Sequence, residues 1–156
     1  MAHSNPQTAY AAYIFGEQHR YTYFMRTIQG ISDILKPIDD VMDNEFIPAL
    51  FGSNISPNER ELVSLPIREG GLGLRVQHKN SDTCYAVSKV ITGPLTKQII
   101  SQDQRLPDHD EVKEARLAGS QMIQQQLEEK ITTLRDNQTP TMKKNLEQLA
   151  QPGASI

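Results

Sequence analysis

The stretch SLPIREGGLGLRV, Ser64 to Val76, sets one proline and three glycines between segments that otherwise read as helix. Pro66 disfavours helical geometry at Leu65, and glycine admits backbone conformations that other residues resist. The chain is therefore expected to stop, reverse and restart here. Leu62, Leu65, Ile67, Leu72 and Leu74 would enter a core on either side of the turn. Glycine is expected here for a positive φ and for a close helix approach, and Gly71→Val is expected to be costly if Gly71 has a positive φ.

A phosphate cradle is the other chemistry that such a run suggests. A P-loop requires a strand, then glycines, then Lys-Ser/Thr opening a helix, and a dinucleotide site requires Gly-x-Gly-x-x-Gly in a βαβ unit. Here Gly70, Gly71 and Gly73 are followed by Leu74, Arg75 and Val76, and the preceding segment reads as helix. The motif is a turn under a packed core.

The flanks carry apolar residues at three- and four-residue steps. Tyr10, Tyr13, Ile14, Tyr21, Phe24, Met25 and Ile28 describe a helix over 7–29 with a weak centre near Gly16. Ile34, Leu35, Ile38, Val41, Met42, Phe46, Ile47 and Leu50 describe another, with Pro37 in its first turn and Pro48 placed to kink or end it. Asp39 and Asp40 would then be solvated carboxylates at the positive helix end, a reading preferred to a Mg²⁺ pair, which needs a tight strand turn and a third carboxylate.

Ser56-Pro57-Asn58-Glu59 is a capping box opening a short helix. Ser81 or Asp82 is expected to cap a helix bearing Cys84, Val87, Val90 and Ile91, with a break at Gly93-Pro94. From 106 to 136 a long polar helix carries one stripe: Val112, Ala115, Ala118, Met122, Ile123, Leu127, Ile131 and Leu134. Such a stripe covers a neighbouring helix or a partner. Thr139-Pro140 would open a last short helix before a flexible tail, 137–156 in all. The fold class that results is all-α: an irregular multi-helix bundle with a Gly-rich turn at 66–75 and a long polar C-terminal helix. Its parts are a helical core over 7–105, the amphipathic helix over 106–136, and the tail.

Charge narrows the function classes. The formal net charge is −3, and residues 38–56 carry four acidic and no basic side chains, whereas 57–105 carry seven basic and five acidic. No segment has the clustered positive patch typical of nucleic-acid binding. Cys84 is the single cysteine and the four histidines lie far apart, so neither a disulfide framework nor a metal site is read from the spacing. No membrane span is read, and a reducing intracellular setting, nucleus or cytoplasm, is expected. Cys84, on an apolar stripe with no histidine near in sequence, reads as an inert thiol.

RYTYFMR, Arg20 to Arg26, interleaves aromatics with arginines. That pattern fits stacking on unpaired bases, but it equally makes a buried helix face with snorkelling arginines, and packing is the preferred reading.

Four segments in order resemble the region downstream of the polymerase core in mobile-element reverse transcriptases: Phe24-Met25-Arg26-Thr27-Ile28, Phe46-Ile47-Pro48-Ala49-Leu50, Leu65-Pro66-Ile67-Arg68-Glu69-Gly70-Gly71-Leu72-Gly73, and Val87-Ser88-Lys89-Val90-Ile91-Thr92-Gly93-Pro94-Leu95. The resemblance covers roughly residues 8–105. Gln77-His78-Lys79-Asn80 departs from the Pro-containing link usual after the glycine motif. The resemblance implies a thumb-like helical region that packs against a polymerase palm and helps hold RNA or DNA, without catalytic carboxylates of its own. The expectation is thus a non-catalytic module, not an enzyme, with no cofactor and no metal. Its backbone-phosphate contacts would come from Arg20, Arg26, Arg60, Arg68, Arg75, Lys79, Lys89 and Lys97, and its structural motif is Leu65, Pro66, Gly70, Gly71 and Gly73. The rival reading is a protein–protein module that self-associates through the 112–134 stripe.

Overall fold

A computed structural model describes residues 2–137. All regular structure among them is helical: α1 (Pro6–Ala12), α2 (Gln18–Thr27), α3 (Ser32–Val41), α4 (Ile47–Phe51), α5 (Pro57–Val63), α6 (Gln77–Ser101) and α7 (His109–Asp136). The expected all-α bundle with a glycine turn and a long polar helix after residue 106 is what the described residues form. The short helix and tail expected beyond Asn137 lie outside the described residues.

α1 and α2 are one rod joined by a wide π-helical turn, Tyr13–Glu17, in which the Gln18 N–H reaches the Tyr13 carbonyl. A π turn brings residues five apart onto one face. Tyr13 and Gln18 are accordingly both buried. A second π turn, Met42–Phe46, joins α3 to α4, with the Ile47 N–H on the Met42 carbonyl and both side chains buried. It lies directly before Pro48. Proline lacks the N–H and crowds the carbonyl four residues back, and widening the turn relieves that conflict, so Pro48 does not end the helix. The rod ends instead at Gly52, whose φ is +74°.

Pro37 also departs from expectation. The helix starts at Ser32, so Pro37 is internal and exposed, where the carbonyl it leaves unbonded faces water. Asp39 is consequently on the last turn of α3 and 3 % exposed, not a solvated N-terminal residue; only Asp40 is exposed.

The capping box of α5 forms, with Ser56 Oγ accepting from the Glu59 N–H and Glu59 returning to the Ser56 N–H at 2.7 Å. Beyond it the glycine stretch folds back on the helix it leaves. The N–H groups of Leu72 and Leu74 both bond the Val63 carbonyl, and that of Gly73 bonds Leu65 at 2.8 Å. Carbonyls orphaned at a helix end thereby gain partners. Leu65 and Leu74 are buried and Leu72 packs beside them, but Ile67 is 67 % exposed because it rides the outer side of a 3₁₀ turn, Ile67–Glu69.

Gly70 (φ +81°) and Gly73 (φ +70°) take the left-handed conformation; Gly71 does not. Gly71 is required for space. A Cβ there would stand 2.7 Å from the Leu62 carbonyl oxygen and nearer still to that of Leu65.

From Leu72 to His78 the chain threads between the helices as a strap whose polar groups are met by side chains from several elements. Tyr10 Oη donates to the Leu72 carbonyl at 2.7 Å, Arg60 Nη1 donates to the Leu74 carbonyl at 2.7 Å, and Gln18 Oε1 accepts the Arg75 N–H at 3.1 Å. Asp39 accepts the N–H groups of Gln77 and His78, both at 2.8 Å. Buried backbone must be paired, and here the pairing comes from outside any helix or sheet.

Asp39 thus caps α6. The helix starts at Gln77 rather than at Ser81 or Asp82; Ser81 is buried inside it and donates to the His78 carbonyl at 2.8 Å. Nor does α6 break at Gly93-Pro94. A residue before proline is pushed out of helical geometry partly by its Cβ, and Gly93 has none.

Two apolar clusters result. Tyr13, Met42, Ile47 and Leu74 form one, with the Tyr13 and Phe46 rings 5.3 Å apart; Met25, Ile31 and Leu35 form the other, against Cys84 of α6. α7 lies along α6, where Gly119 is buried against Ile91 and Val87.

Candidate functional site

The eight cations expected at a phosphate surface do not converge. Five are in ion pairs. Arg20 meets Glu17 at 3.2 Å, Arg68 meets Glu69 at 3.3 Å, and Lys97 lies 3.9 Å from Glu111. Lys79 pairs with Glu61. Arg60, only 7 % exposed, is held by Asp43 and the Leu74 carbonyl; it is part of the strap's support, away from any surface strand. Lys89 sits over the Tyr85 ring at 5.7 Å. Arg26 and Arg75 are exposed and have no carboxylate partner among the described residues.

Those two arginines stand at one cleft. It has a volume of about 540 Å³ and lies between α2, the end of α5, α6 and α7. Met25, Leu65, Val87 and Leu127 supply apolar wall, with Cys84 among them. The Thr22 hydroxyl, also on the wall, is buried without a hydrogen-bond partner among the described residues.

On another side Glu61 ties three helices together. It pairs with Lys79 of α6 and with Lys130 of α7 at 2.9 Å, and Lys130 also donates to Ser64 Oγ at 2.6 Å. Burial alone would raise the Glu61 pKa, but the hydrogen bonds from Lys79 and Lys130 outweigh it and hold the carboxyl below the usual glutamate value. Four cations and one carboxylate therefore line the cleft, leaving it positive. Burial pushes the Cys84 thiol pKa up, and the nearby Arg75 and Arg26 only partly offset this. The thiol is therefore held protonated at neutral pH, which slows its reaction with electrophiles without abolishing it.

A second surface feature lies on the rod formed by α1 and α2. Phe15, Tyr23, Phe24 and Ile28 are 81 %, 68 %, 49 % and 48 % exposed. Of the RYTYFMR stretch Met25 is buried and Tyr21 and Thr22 are half-buried, Tyr21 against the Met25 cluster; the buried-face reading fails for Tyr23 and Phe24. Tyr23 and Phe24 stack edge to face, 5.6 Å between centroids, with Arg20 and Arg26 exposed on the same helix.

The 112–134 stripe is mostly occupied within the chain. Leu134 is buried and Val112, Ala115, Ala118, Met122, Leu127 and Ile131 are half-buried, whereas Ile123 is exposed at the cleft. Gly119, buried where α7 meets Ile91 and Val87 of α6, has no sequence signal beyond a lone glycine in a polar helix. Asp39, the strap's side-chain partners and the Glu61 clamp were missed as well, since each joins residues remote in sequence.

Among the described residues no helix is long and apolar enough to cross a membrane, and no three His, Cys, Asp or Glu side chains are grouped to hold a metal. No family model matches the chain, and no curated protein or solved structure matches it.

Proposed function

We propose that the chain is a non-catalytic helical module, thumb-like in the sense of the reverse-transcriptase resemblance, that makes weak contact with single-stranded RNA or DNA along α2. The observation that carries this reading is the exposed Tyr23–Phe24 pair on a helix that also presents Arg20 and Arg26. Aromatic faces stack on unpaired bases of any sequence, and guanidinium groups bind the intervening phosphates. The remaining exposed apolar residues of the rod, Phe15 and Ile28, are where packing against a polymerase palm would be accommodated.

Fluorescence anisotropy with labelled single-stranded RNA and DNA tests it. Binding is expected at low salt and should weaken steeply as salt is added, because counterion release drives phosphate contacts. The Tyr23→Ala/Phe24→Ala double variant should weaken it about tenfold or more, given the usual contribution of a stacked base. An absence of binding at low salt, or binding indifferent to salt or to these substitutions, overturns the reading.

The alternative, a protein–protein module, finds its support at the far end of α6, where Leu95, Ile99 and Ile100 are 49 %, 62 % and 77 % exposed. Self-association through the 112–134 stripe would require α7 to leave α6. Sedimentation at rising concentration distinguishes the cases: association abolished by Ile99→Asp and Ile100→Asp favours the α6 end, and a monomer at all concentrations removes self-association.

A further inference from the structure

We infer that the cleft between α2, α5, α6 and α7 is a binding site for a small organic anion with one carboxylate or phosphate-monoester head and an apolar body. This goes beyond the nucleic-acid reading, which rests on Tyr23 and Phe24 and shares only Arg26 with the cleft. The volume, about 540 Å³, lies within the range of small-molecule sites, which combine apolar walls with a few converging polar groups.

The cleft has that division. Met25, Leu65, Val87 and Leu127 offer apolar surface, and Arg26 and Arg75, both exposed, add to the lining two guanidinium groups that no carboxylate of the described residues neutralises. They come from different elements, α2 and the strap, so their presence at one cleft is a product of the fold. Lys79 and Lys130 also line the space, but they share Glu61 and are committed to holding α5, α6 and α7 together. The Lys79–Glu61–Lys130 group keeps a net charge of +1, and the unpaired guanidinium groups of Arg26 and Arg75 add the charge that is free to meet a ligand. A planar guanidinium matches carboxylate and phosphate geometry, which fixes the head group as an anion. The apolar walls exclude a bare inorganic ion as the best occupant, because such an ion leaves them wet.

Cys84 gives the site a reporter: it lies on the cleft wall and is the single cysteine of the chain. The rate at which a maleimide labels Cys84 should fall in the presence of octanoate or octyl phosphate, and comparing these two identifies the preferred head. Acetate and inorganic phosphate, which lack the body, and octanol, which lacks the charge, should protect at least about tenfold less well, the usual scale for losing a charge-assisted hydrogen bond. In the Arg26→Gln/Arg75→Gln variant, with unchanged helical circular dichroism, octanoate protection should drop to the octanol level. Equal protection by octanol and the anions, no protection by either anion, or protection that survives the double substitution overturns the inference. Because nucleic acid is absent and Tyr23 and Phe24 are intact, failure here leaves the α2 reading to its own titration.

Discussion

The carboxylate of Asp39 accepts the Gln77 N–H at 2.8 Å across 38 residues of sequence, and with the His78 N–H on its other oxygen it caps a 25-residue helix from outside. α6 has no capping side chain of its own at Val76. Removing the carboxylate strips one buried and one half-buried N–H group of their acceptor. Asp39→Ala should therefore cost about 3 kcal/mol, and the melting temperature should fall by roughly 6–12 °C. Asp39→Asn, which keeps one acceptor oxygen, should lose less.

Gly71 and Gly16 make opposite predictions. The first has backbone carbonyls where its Cβ would go, and backbone cannot swing aside as a side chain can. Gly71→Ala should cost about 3 kcal/mol or more, as severe overpacking does. Gly16, on an exposed helical turn with nothing within 4 Å, should accept alanine with a gain of about 0.5 kcal/mol. Urea midpoints of the two variants against the parent decide it.

The α6–α7 contact depends on Gly119, where a Cβ would lie 2.8 Å from Cγ1 of Ile91. Gly119→Leu should separate the helices at the cost of about 2 kcal/mol. Because the cleft lies between these helices, maleimide labelling of Cys84 should also speed up. A variant with parent stability and an unchanged labelling rate would show that the close approach is not needed.

The Glu61 clamp predicts a pH dependence. Its pKa is lowered in the folded chain by Lys79 and Lys130, so its stabilisation is fully present above the ordinary glutamate value, about 4.3, and is lost as pH falls through the lower folded value. The stability difference between the parent and Glu61→Gln should be constant near neutrality and shrink below about pH 4. A difference that does not change between pH 7 and pH 3 would remove the clamp as a titrating element.

Several local features were legible because they are written in neighbouring residues. The Ser56–Glu59 capping box lies within four positions, the end of α5 follows from Pro66, and apolar spacing marks each helix. Pro37, Pro48 and Pro94 depart from their expected places because proline's local cost depends on its surroundings: at Pro37 the site is exposed, before Pro48 the turn widens, and at Pro94 the preceding Gly93 has no Cβ to clash.

The amino-acid sequence alone determined that this is a helical chain interrupted by a compulsory glycine turn, since periodicity, capping and φ preferences act over a few residues. Only the tertiary structure decided that Asp39 is a buried cap, that Arg60 is internal, that Tyr23 and Phe24 face solvent, and that Arg26 and Arg75 meet at one cleft. The same residue types suit either the core or the surface. Which they adopt depends on desolvation and on partners brought near by the packing of the strap and helices, and no spacing along the chain encodes that.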